Sequence, residues 1–142
     1  MLWLSTRAVY APGKAIRGGI PICWPWFGPH PDDPSKPDRG FARTRTWSVL
    51  SGGVAEGDST VLRLGLRDDE ASRALWLHPF ALELEVAVGA ALRVSLIARS
   101  TGSEPYICTG ELHSYLAVGD VTRIAIHGLG GLRLRRQGGR WR

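Results

Sequence analysis

The side chains able to move protons or hold an anion are few in this sequence. His113 stands in GELHSYLAVGD, two residues after Glu111 and two before Tyr115. An unperturbed imidazole changes charge near pH 6.5, so it can give or take a proton at neutral pH. A lone histidine in a strand is more often a hydrogen-bonded structural residue, and the neighbours of His113 leave both readings open. His30, His78 and His127 have no companion group that lifts them above the structural reading. Arg17 in AIRGGIP and Arg43 in RGFART lie beside glycine-bearing backbone. Glycine lets a ligand approach the main chain closely, and a guanidinium presents paired planar donors to phosphate or carboxylate. Together these arginines would make an anion clamp; apart, they are ordinary surface residues. Cys23 and Cys108 sit in apolar surroundings with no CxxC spacing and no histidine cluster nearby, which favours buried free thiols over zinc ligands or a disulfide.

Strands must position these groups, because alternation of period two dominates the chain. In FALELEVAV, Phe80, Leu82, Leu84, Val86 and Val88 would line one face while Glu83 and Glu85 point to the other. The pattern resumes in LRVSLIARS, with Leu92, Val94, Leu96 and Ala98 opposite Arg93, Ser95 and Arg99, so Gly89 to Ala91 reads as a hairpin connection. Shorter strands are expected at Trp47 to Leu50, Val61 to Leu66, Tyr106 to Thr109 and Val121 to Ile126, with SGG, EGDS and STGSEP as turns. Only DDEASRAL has helical composition, and it is long enough for about two turns. The fold class is all-β, a sandwich. Between Pro21 and Pro37 the prolines forbid a central strand, while Trp24, Trp26 and Phe27 make the segment too apolar for a solvated linker. It must lie against a core, a ligand or another chain.

With 142 residues, 44% hydrophobic and 22% charged, the composition is that of one globular domain, expected over residues 1–132. The formal charge of +5 is local. Removing Arg133, Arg135, Arg136, Arg140 and Arg142 from the 18 basic residues leaves 13, equal to the 13 acidic ones. Residues 133–142 therefore read as a separate basic tail, disordered or non-native, and a neutral body argues against nucleic-acid binding. No apolar run approaches the roughly 18 to 20 residues that would cross a bilayer, and no leader pattern opens the chain, so a cytoplasmic protein without membrane association is expected.

Several separated blocks carry a resemblance. AIRGGIPICWPWFGPH, GFARTRTW, WLHPFALELEVAV, RSTGSEPYICTGELHSYLAVGDV and HGLGG together resemble the hexose-6-phosphate mutarotase (glucose-6-phosphate 1-epimerase) branch of the aldose 1-epimerase family. The resemblance implies a galactose-mutarotase-like β-supersandwich, here partial, and interconversion of the α and β anomers of a hexose 6-phosphate without cofactor or metal. It implies that His113 is the catalytic acid, that Arg17 and Arg43 hold the sugar phosphate, and that Trp26 and Phe27 of WPWFG pack against the sugar. Where the family usually has His-Gly before the aromatic-Ala-Arg triplet, this chain has Arg39-Gly40, an obligate cation that either adds phosphate attraction or fills the pocket. The family's basic glutamate comes from a later strand that this sequence does not contain, and family chains carry further residues before LWLS, so both ends look clipped. Glu111 shares the face of His113 if both lie in a strand, yet it is not expected to replace that base. Open sheet edges would favour self-association. Two alternatives stand beside catalysis: a non-catalytic sugar-phosphate-binding module, and a half-sandwich completed by a partner.

Overall fold

Alternating apolar residues fold as the sequence predicts into a four-stranded antiparallel sheet. The structure is a computed structural model and describes residues 1–55 and 58–132. Its sheet has β2 (Ser48–Ala55), β3 (Ser59–Arg67), β4 (Phe80–Val88) and β5 (Leu92–Ser100) in the order β2-β3-β4-β5. A second, two-stranded sheet pairs β1 (Ile22–Cys23) with β6 (Glu111–Leu112). The expected hairpin joins β4 to β5, closed by the bond from the Gly89 amide to the Ala91 carbonyl. The six-residue helix α1 (Glu70–Leu75) links β3 to β4. Its start is set by Asp69, whose carboxylate accepts from the Ser72 amide while the Ser72 hydroxyl accepts from the Asp69 amide.

The two faces of the four-stranded sheet differ as the alternation requires. On one, Arg63 pairs with Glu85 at 2.8 Å and Glu83 at 3.8 Å, and Arg99 reaches Glu83 at 3.6 Å. Such exposed pairs contribute little, up to about 1 kcal/mol each. On the other, Leu66, Phe80 and Leu82 meet Ile22, Trp24, Trp26, Phe41 and Ala42 in the core. Edge-on ring contacts knit this core together, Trp24 lying 4.7 Å from Phe80 and 6.1 Å from Phe41 between centroids. Burial is concentrated at that end. At the other end of the sheet Leu62, Val88 and Leu92 are exposed.

Three sequence expectations fail. The glycines of SGG are not a turn: Gly52 and Gly53 pair with Leu62 and Val61 inside β2, which runs to Ala55 and bulges between Val49 and Ser51. Tyr106 to Thr109 is not a strand, since its described backbone pairing is one bond, from the Thr109 amide to the Pro25 carbonyl. Val121 to Ile126 is not a strand either, because the Asp120 carboxylate accepts from the Thr122 amide and hydroxyl and winds Val121–Arg123 into a 3₁₀ turn. The Pro-rich segment does contain a strand, though only the two residues of β1. The basic tail expected at 133–142 lies outside the described residues. No described helix is long and apolar enough to cross a membrane.

Candidate functional site

The small sheet has two unlike faces. Ile22 and Leu112, opposite one another, go to the core, which leaves Cys23 and Glu111, the next opposed pair, on the reverse face. Pairing continues past β6: the His113 amide donates to the Pro21 carbonyl at 3.0 Å, and the Tyr115 amide to the Gly19 carbonyl at 2.9 Å. Period two therefore aligns Glu111, His113 and Tyr115 on that reverse face. The His113 and Tyr115 rings do lie together, 4.8 Å apart between centroids. His113 Nδ1 is buried and has no hydrogen-bond partner among the described residues.

The loop after the aromatic segment is anchored on the end of β1. The Phe41 and Ala42 amides both donate to the Trp24 carbonyl, and Gly40 approaches the same carbonyl so closely that a Cβ there would overlap it. Gly40 also has φ +67°, a conformation that favours glycine. Arg39, immediately before it, is held at φ +63° with its amide on the Gly28 carbonyl at 2.7 Å. Arg43 sits in a 3₁₀ turn, Ala42–Thr44, and donates from Nη2 to the Asp38 carbonyl at 3.0 Å. Its Nε is buried without a partner among the described residues.

Cys23 is fully buried. Burial pushes its thiol pKa up, the Arg43 guanidinium pulls it down, Glu111 pushes it up and Arg39 pulls it down. Burial is the largest of these influences, so the thiol stays protonated at neutral pH. Arg43 also lines an open cleft of about 450 Å³ with Gly18, Ile20, Ile22, Leu64 and Leu84, on the face of the small sheet that carries Ile22, a size ordinary for small-molecule sites. His113 is not among the residues lining that cleft; Pro21, its backbone partner, is.

The predicted site residues are therefore unequally placed. Arg39 and Arg43 lie on one loop, and the charges of both lower the Cys23 thiol pKa. Arg17 is exposed; the glycines that follow it line the cleft with Arg43, but its own side chain does not. Trp26 lies in the core, with Nε1 donating to the Pro37 carbonyl at 2.9 Å, so its ring supports the loop and presents no open face. Phe27 is exposed, its amide bonded to the Thr109 hydroxyl. Cys23 is the buried thiol that its apolar surroundings led one to expect. Both cysteines are free. Among the described residues no group of three or more His, Cys, Asp or Glu side chains is placed to share a metal ion.

A family model described as Aldose 1-epimerase matches residues 1–139. A Salmonella typhimurium protein named "Putative glucose-6-phosphate 1-epimerase" is 38% identical over 130 residues, covering 92% of this chain and 42% of that protein. Proteins of the same name from Escherichia coli K12 and Cenchrus ciliaris are 37% and 36% identical, covering 92% and 91% of this chain and 42% and 41% of theirs. The crystal structure of a "putative mutarotase" from Salmonella typhimurium superposes with a TM-score of 0.76 at 38% identity, over 84% of this chain and 38% of that one. The chain thus spans about two fifths of the length of the curated relatives it matches.

Proposed function

The chain belongs to the aldose 1-epimerase family, and on this basis we propose that it interconverts the α and β anomers of a hexose 6-phosphate. In this reading His113 is the acid that protonates the ring oxygen. Arg43 and Arg39 hold the phosphate, Arg17 assists from the rim of the cleft, and Phe27 offers an aromatic face to the sugar. The names of the relatives supply the substrate class. From the molecule itself, the supporting observation is that Arg43, whose buried Nε has no partner among the described residues, lines an open cleft of about 450 Å³. Paired guanidinium groups suit a dianionic phosphate, and their charge steers it inward. We place the activity in the cytoplasm, with no cofactor.

Epimerisation opens the pyranose ring. The proton of the anomeric hydroxyl leaves as the ring oxygen gains one, the C1 to ring-oxygen bond breaks, and the aldehyde recloses from its other face. NMR saturation exchange between the anomers of glucose 6-phosphate measures this directly. Exchange faster than buffer, reduced about 10²- to 10⁴-fold by His113→Ala, is the expected result. A His113→Ala chain as fast as wild type would remove histidine from the mechanism.

A second reading keeps the same arginines and aromatic loop: a sugar-phosphate-binding module without catalysis. Calorimetric binding of glucose 6-phosphate with exchange no faster than buffer would select it.

A further inference from the structure

An open sheet has two edges, here β2 and β5, and neither has an outer neighbour among the described residues. An edge strand presents free N–H and C=O groups to any second strand, and proteins guard such edges with charge or proline. These two edges are guarded unequally. β5 carries Arg93 and Arg99, both exposed. A second copy laid antiparallel on the middle of β5 would set Arg93 of one chain opposite Arg99 of the other, and like charges directly opposed repel. From Trp47 to Ala55, by contrast, there is no charged residue and no proline, and every residue of β2 is exposed. Its bulge lies between Val49 and Ser51, so residues 51–55 keep an unbroken register.

Apolar surface continues from β2 across the inner face of the sheet. Val49 and Val54 are 69% and 78% exposed. Gly52 stands opposite Leu62 without a side chain to cover it, and Leu62 is exposed. Val88 and Leu92, on the same face, are exposed too. The chain as a whole exposes 10758 Å², against about 7200 Å² for a globular protein of 15.5 kDa. Residues 56–57 and 133–142, which are not described, supply at most about 2200 Å² of the difference. About 1300 Å² is left, more than the roughly 800 Å² that each partner gives to a stable interface.

We propose that two copies of this chain pair through β2, antiparallel and about a two-fold axis normal to the sheet, to make one continuous eight-stranded sheet. Such an axis keeps the inner face of one copy level with that of the other. Side chains of the second β2 then fill the space beside Gly52 and cover Leu62, while the outward N–H and C=O groups of residues 51–55 gain partners. Because the same edge meets itself, pairing closes at two chains. The inference stands apart from the epimerase reading, since β2 carries none of the residues assigned to the sugar phosphate.

Sedimentation velocity of the full chain over about a hundredfold range of concentration is the test. A monomer and dimer in equilibrium, with nothing larger, is the expected result, and amide hydrogen exchange at residues 51–55 should slow as the dimer forms. Val54→Lys places a charge on either side of the axis and should raise the dissociation constant at least about tenfold. Arg93→Glu, on the opposite edge, should leave it within about threefold of wild type. If Val54→Lys fails to fold by circular dichroism, Ser51→Lys on the other face of the same strand decides in its place. A chain that stays monomeric at every concentration overturns the proposal. So does a dimer that the β2 variant leaves unchanged, a dimer that Arg93→Glu abolishes, or an open-ended series of oligomers.

Discussion

Replacing Arg43 by Gln separates phosphate recognition from sugar recognition. The guanidinium of Arg43 makes one hydrogen bond, from Nη2 to the Asp38 carbonyl, and its buried Nε is unpartnered among the described residues. Donors are therefore left for an anion. A hydrogen bond to a charged group contributes about 1.5–3 kcal/mol, so losing one phosphate contact should weaken glucose 6-phosphate binding about 10- to 150-fold. Glucose, which has no phosphate, should bind within about threefold of wild type. Losing the Asp38 contact removes about 1 kcal/mol of stability from the loop, too little to unfold an ordinary domain. Calorimetry with both sugars at low and moderate salt is the assay. The wild-type preference for the phosphorylated sugar should shrink as salt rises, and that of Arg43→Gln should change less. A second readout is internal: Arg43 is the largest influence lowering the Cys23 thiol, so in the variant that thiol should titrate at still higher pH. Equal losses for glucose and glucose 6-phosphate, or no loss for either, would refute the assignment of Arg43 to the phosphate.

Two further outcomes concern the scaffold. Gly40→Ala puts a methyl group onto the Trp24 carbonyl at a backbone angle that favours glycine, and should destabilise by more than about 1 kcal/mol in urea unfolding; an unchanged midpoint would show that the loop relaxes freely. Asp69→Ala should cost about 1 kcal/mol at neutral pH through the lost helix cap. The Asp69 carboxyl is held below the usual carboxylate range chiefly by the Ser72 amide. Its contribution is therefore full above that range and disappears as pH falls through the lowered value, so wild type and variant should converge in strong acid. A gap that persists there would mean that the cap is not electrostatic.

Much of the fold was legible because alternation is a local property. Phe80 to Val88 and Leu92 to Ser100 were readable residue for residue, since each strand shows one apolar and one charged face. Local composition misled where a short polar device or a distant partner decided. Asp120 turned a strand-like run into a 3₁₀ turn, and pairing with Leu62 and Val61 drew two glycines into β2. Trp26 was assigned to the sugar by the family resemblance; the core claimed it instead.

The sequence by itself determined the strand periodicity, the short helix and the candidates His113, Arg17 and Arg43, to which the family resemblance added Arg39. Tertiary structure alone decided which of them meet. The register of β1 against β6 sets Glu111 opposite Cys23, and a loop anchored on the Trp24 carbonyl carries Arg39 and Arg43. The residues around Cys23 come from positions 39 to 111, and no local pattern encodes their approach. Hydrogen-bond register and the packing of Trp24 and Phe41 impose it, because a one-residue slip would turn Glu111 and His113 to the opposite face.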